Sequence, residues 1–124
     1  MDLIFDTHAL FWLAVDYPKL SKKVVSQLGD PDTTTFVSAV TLWEYLDLAN
    51  RGRLANAVPV DDLEREFGFE RLDFPAAACE QASALPNIHR DLIDRMLIAH
   101  ALAEDLTIVT ADRRIQSYPV RTLW

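Results

Sequence analysis

Leu3-Ile4-Phe5-Asp6-Thr7-His8-Ala9-Leu10 is the stretch on which the architecture turns. Three apolar residues in a row read as a short strand buried on both faces, the pattern of a parallel sheet. The run stops at Asp6. From Thr7 to Val15, Leu10, Phe11, Leu13 and Ala14 recur at helical spacing until Asp16-Tyr17-Pro18 breaks them. A strand that ends on an acid and passes directly into a helix is the first half of a βαβ unit.

The same alternation continues. Ser21 reads as the N-cap of a helix through Leu28, stopped at Gly29-Asp30-Pro31-Asp32. Thr33 to Val37 is β-branched and aromatic, a second strand. Ser38 caps a helix from Ala39 to about Arg51, with Leu42, Tyr45, Leu46 and Ala49 on one face and Gly52 as its C′ residue. A short helix over Asp61 to Phe67 precedes a third strand over Phe69 to Phe74. Pro75 opens a helix continued by Ala76 to Leu85. Leu92 to Glu104 is helical, Leu106 to Val109 is a strand ending at Thr110-Ala111-Asp112, and Val120 to Leu123 forms a closing strand. Short, uniformly apolar strands alternating with helices predict an α/β fold with a mainly parallel sheet between two helical layers.

Composition bounds the function. The chain has 124 residues, the size of one domain, and half of them are apolar, which excludes a disordered chain. No apolar run reaches the length of a membrane span, and Met1-Asp2-Leu3-Ile4-Phe5-Asp6 has no basic leader, so a cytoplasmic protein is expected. The lone Cys79 excludes an internal disulfide and an all-cysteine zinc site. Three glycines leave no phosphate-cradling loop, against P-loop and dinucleotide-binding readings. A net charge of −7 argues against a basic nucleic-acid-binding face, although nine of the twelve cations are arginines, whose forks suit phosphate.

Four acids stand out by position. Asp6 ends the first strand, Glu44 lies early in the helix after the second, Asp94 is in the first turn of the helix before the fourth, and Asp112 follows that strand. Each also has a capping explanation: Asp6 for the first helix, Thr41-Leu42-Trp43-Glu44 as a capping box, Asp94 on a helix dipole behind Asp91, Asp112 for a short turn. Yet in a parallel sheet all four map to the strand C-terminal edge, where ligand sites open. Converging carboxylates repel, and a hard divalent cation relieves that repulsion. Such a centre suits metal-assisted phosphodiester hydrolysis and needs no covalent nucleophile.

These residues resemble the PIN-domain ribonucleases, and within them the VapC-type toxins of toxin–antitoxin pairs, over essentially the whole of 1–124. The carriers are Leu3 to Leu10, Ser38 with Trp43-Glu44, Gly52-Arg53-Leu54, Leu85-Pro86 with His89-Arg90-Asp91, Asp94-Arg95-Met96-Leu97-Ile98-Ala99, Val109-Thr110-Ala111-Asp112 and Leu123-Trp124. Leu92-Ile93 stands where many relatives have Pro-Phe, and His100 where glutamine is frequent. The resemblance implies a three-layer α/β/α fold, an endoribonuclease using Mg²⁺ or Mn²⁺, a cognate antitoxin and a homodimer. It assigns catalysis to Asp6, Glu44, Asp94 and Asp112, with Asp6 and Asp94 as direct metal ligands and Glu44 and Asp112 binding metal or orienting water.

Around these, Thr110 is expected to hydrogen-bond a site carboxylate. Arg95 is expected to pair with an acid or bind phosphate. His89 and Arg90 either touch the scissile phosphate or complete a helix-entry turn, and Arg113 and Arg114 either meet the RNA backbone or are solvated. Trp12 and Trp43 are expected to be buried, in the core or at a dimer seam, with stacking on an RNA base the lesser alternative, and His8 to pack or support the site. A non-catalytic RNA-binding or protein-interaction module is the alternative; a small-molecule phosphohydrolase is a third reading, disfavoured because position 8 is histidine where an aspartate would be wanted.

Overall fold

The structure is a computed structural model describing residues 1–124. The elements are β1 (Asp2–Phe5), α1 (Thr7–Val15), a 3₁₀ turn (Tyr17–Lys19), α2 (Lys22–Leu28), β2 (Thr34–Ser38), α3 (Ala39–Asn50) and α4 (Val60–Phe67). There follow β3 (Glu70–Leu72), α5 (Ala76–Ala84), α6 (Leu92–Glu104), β4 (Thr107–Val109), α7 (Arg113–Gln116) and β5 (Thr122–Leu123). The sheet order is β3-β2-β1-β4-β5 and every pairing is parallel.

The central strands β1 and β4 are buried on both faces, as their apolar runs require, whereas β3 at the sheet edge leaves Glu70 and Arg71 exposed. Leu3, Phe5, Val37 and Val109 point into one core with Leu10, Leu13, Val24, Tyr45 and Leu63. Ile4 and Ile108 point into the other with Leu97, Ile98, Ala101, Ile115 and Tyr118. Side chains alternate across a strand, so one tripeptide serves two helical layers. The order reverses at β1: the chain runs outward to β2 and β3, then returns to the other side of β1 for β4. Connections leave β1 and β4 in different directions there, and a crevice opens beyond their C-terminal ends.

Local chemistry sets the element ends. Asp6, Ser21, Ser38, Asp91 and Asp112 each accept a hydrogen bond from a backbone N–H in the first turn of the helix they cap. At the end of α3, Gly52 takes a φ of +69°, and the N–H groups of Gly52 and Arg53 donate to the carbonyls of Ala49 and Leu48. Three expectations are corrected. The third strand keeps only three residues, because Phe74 leaves the sheet to stand edge-on to His100, ring centroids 5.5 Å apart. Pro75 is the residue before α5, with ψ 137°, not its first helical residue. Trp43 is not in the core, one of the two places expected of it: it and Leu46 are 59% and 49% exposed, because Thr41 and Tyr45, one turn apart, set the buried face of α3.

Candidate active site

Asp6 sits where β1 gives way to α1 and is 6% exposed. One oxygen, Oδ1, accepts from the Ala9 N–H at 2.8 Å, and the Thr110 side chain lies close enough to the carboxylate to favour its ionised form. Burial nonetheless pushes its pKa above the usual aspartate value, against the lowering effect of those contacts and of His8. Capping and site-building are therefore not alternatives for Asp6, since the carboxylate both caps α1 and lines the cleft. Thr110 takes the position expected of it, and its Oγ1 also accepts from the Asp112 N–H at 3.0 Å.

Glu44 is not half of a capping box. Ser38 caps α3 by accepting from Val40, and Thr41 lies inside the helix, its hydroxyl donating to the Phe5 carbonyl at 3.3 Å. Glu44 is thus in the second turn, half-buried, and faces the cleft. The Thr41 bond ties α3 to the end of β1, and Glu44 and Asp6 line the same cleft, outside the close group formed by His89, Asp94 and Asp112.

On the far wall, His89 Nε2 lies 2.8 Å from Asp94 Oδ2, and ligand atoms of His89, Asp94 and Asp112 all fall within 4.8 Å of one another. Burial and the neighbouring Asp91 charge raise Asp94 to about 6, against the opposing bond and charge of His89; the Asp6 charge adds to the rise. Asp112 goes the other way: burial lifts it, but the Arg114 N–H and side chain outweigh this and hold it below the usual range.

Asp6, Glu44, Asp94 and Asp112, from four separate segments, line one cleft of about 460 Å³. Asp91, His8, Trp12 and Arg114 complete its polar and aromatic wall. Asp91 was legible only as a cap, which it is, accepting from the Asp94 N–H at 3.0 Å. His8 is exposed and stacked near Trp12, and Trp12 is half-buried, not enclosed. His8 was expected to pack or support the site, and Trp12 at the cleft could have been found with it, since it stands one turn further along the helix that Asp6 caps.

The basic residues divide. Arg114 reaches back to Asp112 at 3.5 Å and stays at the cleft. Arg113 is exposed and forms no salt bridge; Arg90 is likewise free and lines a second cavity with Asn87, His89 and Arg95. Arg95 makes no acid pair. Its guanidinium donates to the carbonyls of Pro86, Ala82 and Leu85 and to the Tyr118 hydroxyl, closing the end of α5. Tyr118, which the sequence did not single out, also accepts from the His89 N–H at 2.9 Å, so this clasp fixes the backbone that carries His89.

The donor set fits a hard divalent cation. Five carboxylates face one cleft with a single arginine among its lining residues. The two carboxyls pushed upward, Asp6 and Asp94, are those a cation would return to their ionised forms.

A family model described as PIN domain matches residues 3–120. The chain is similar to Ribonuclease VapC22 of Mycobacterium tuberculosis, with 26% identity over 129 residues spanning 98% of each protein. Its fold is similar to that of VapBC2 from Rickettsia felis bound to a DNA fragment from their promoter (TM-score 0.71, 16% identity, 99% of this chain and 98% of that one). It is also similar to DNA-bound VapBC from Salmonella typhimurium (TM-score 0.67, 18% identity, 99% of this chain and 97% of that one).

Proposed function

The chain belongs to the PIN-domain family, and on that premise we propose that it is a divalent-metal-dependent endoribonuclease, the toxin of a toxin–antitoxin pair. One observation carries the reading: four acids distant in sequence meet in one cleft at the reversal point of a parallel sheet. The similarity to Ribonuclease VapC22 supports RNA as substrate, and the fold shared with VapBC proteins supports a VapB-like antitoxin partner. One PIN-like domain over 1–124 does this work, in the cytoplasm and as a homodimer. No helix is long and apolar enough to cross a membrane.

Asp6 and Asp94 are the proposed ligands of Mg²⁺, with Mn²⁺ able to replace it, and Glu44 and Asp112 complete the set. When bound, the metal supplies Lewis acidity that eases ionisation of water and offsets charge on the phosphate. The chain's own residues do the rest. Thr110 and the Ala9 N–H hold Asp6 in one orientation. His89 holds Asp94 from the side away from Asp91's cap. Glu44, with no hydrogen bond to the helix end, is placed to orient the attacking water. Arg114, Arg113 and Arg90 supply positive charge to the RNA backbone around an otherwise acidic mouth.

Incubating the purified protein with structured and unstructured RNAs tests this. Cleavage is expected with Mg²⁺ or Mn²⁺, none with EDTA, and none for Asp6→Asn or Asp94→Asn in proteins that still fold. Undiminished cleavage in EDTA rejects the metal mechanism. Binding of RNA with no cleavage under any metal moves the chain to a non-catalytic module.

A further inference from the structure

Resting on the ribonuclease reading, we propose a binding track for single-stranded RNA that leaves the acidic cleft over His8, Trp12 and Trp124 and is flanked by Lys19, Lys22 and Lys23. Three observations meet there. First, the rings neighbour one another: His8 and Trp12 line the cleft with centroids 6.0 Å apart and planes tilted by 53°, and Trp12 stands 5.5 Å from Trp124 at a tilt of 55°. Both tryptophans rest one side on the core and are half-buried, so the row keeps ring surface toward solvent.

Second, the positive charge is placed where a phosphate backbone needs it. The protein is acidic overall, yet its three lysines all fall within residues 19–23. Lys19 Nζ lies 5.7 Å from the Trp12 ring while sharing its charge with exposed Asp16 at 3.5 Å. Lys22 and Lys23 are exposed and form no salt bridge; they line a groove of about 400 Å³ with Leu123, the residue before Trp124. Third, the features adjoin one another through single contacts or neighbouring residues. From the carboxylates the path runs to His8 and Trp12, from Trp12 to Trp124 and Lys19, and from the end of β5 to the lysine groove. Unpaired bases stack on aromatic rings irrespective of sequence while cations follow the phosphates, the general design of single-strand binding sites. The acidic cleft alone repels RNA; this flank gives the strand a place to bind outside it.

Binding of two 12-nucleotide single-stranded RNAs, one with bases and one carrying abasic sites at equal charge, measured by fluorescence anisotropy with Mg²⁺ in an Asp94→Asn background, tests the track. Trp12→Leu is expected to weaken the base-bearing RNA about tenfold or more, leave the abasic RNA unchanged, and be largely rescued by Trp12→Phe. Trp124→Leu gives the same split and serves if Trp12→Leu does not fold. Lys22→Gln with Lys23→Gln weakens both RNAs and lowers the slope of log affinity against log salt by about 1.4. Equal loss for both RNAs in the tryptophan variants overturns the stacking row. Parental binding by all variants overturns the track but leaves the nuclease standing if the unaltered protein cleaves. Loss of self-association with unchanged RNA binding assigns the row to a second copy of the chain and also overturns it. If the unaltered protein neither binds nor cleaves RNA, the ribonuclease reading falls with it.

Discussion

Replacing Asp94 by asparagine is expected to strengthen the metal-free fold while abolishing cleavage. The Asp94 side chain is 18% exposed, and burial and Asp91 raise its pKa from 3.8 to about 6. A carboxyl raised on folding makes its full contribution to stability below the unfolded pKa and loses it as pH climbs through the folded one. The window is therefore about pH 4 to 6, and above it ionised Asp94 opposes folding by roughly 3 kcal/mol. Asp94→Asn removes that penalty and gives up the charge on the 2.8 Å contact with His89, so a net gain of about 1–2 kcal/mol is expected at pH 8. Urea unfolding in EDTA at pH 4, 6 and 8 measures it. The gain grows across the series and is near zero at pH 4. On the proposed ligand role of Asp94, saturating Mg²⁺ is expected to reverse the order, because binding to the folded state would stabilise the unaltered protein and not the variant. Lower stability of Asp94→Asn at pH 8 in EDTA, or an effect equal at all three pH values, refutes the electrostatic argument.

Further outcomes follow from other contacts. Tyr118→Phe removes the acceptor of the His89 N–H but leaves Arg95 three carbonyls; a loss of about 1–2 kcal/mol in urea unfolding is expected, with weaker Mn²⁺ binding by calorimetry. Ser38→Ala strips the α3 cap and the 2.8 Å partner of His100 Nδ1, in a place where His100 Nε2 already lacks one, and should cost about 2–3 kcal/mol in the same assay. Gly52→Ala meets no neighbouring atom but forces φ +69° on an alanine, so thermal unfolding should report a loss of about 1 kcal/mol. Asp112→Asn should act opposite to Asp94→Asn in sign. Its lowered pKa contributes stability above pH 3.8 that is lost as pH falls through the folded value, so the variant is modestly less stable at pH 8 and matches the parent in acid.

Local chemistry made much of the site legible. Leu3-Ile4-Phe5, ending on Asp6, announces a two-faced strand and a cap in four residues, and Gly52 marks the end of α3 without any tertiary information. The capping box at Thr41–Glu44 fails because two serine or threonine caps are available three residues apart; the bond from the Val40 N–H to Ser38 and that from Thr41 to the Phe5 carbonyl decide between them. Arg95 was misjudged for a related reason: an arginine beside an acid in sequence need not face it on a helix, where neighbours point about 100° apart. Bulk alone suits Trp43 to the core or to a dimer seam, and the phase of α3, set by Thr41 and Tyr45, excludes the core.

The primary structure by itself determined the α/β class, most of the helix caps and the placing of four acids at strand and helix ends, because each depends on patterns a few residues long. Sheet order, the meeting of those acids, the clasp of Arg95 and Tyr118 on the His89 segment, and the row from His8 to Trp124 were decided only by tertiary structure. Their partners lie tens of residues apart, and no local pattern encodes which strand settles beside β1. Packing on both faces of that strand makes the choice, and the charges then meet at its end.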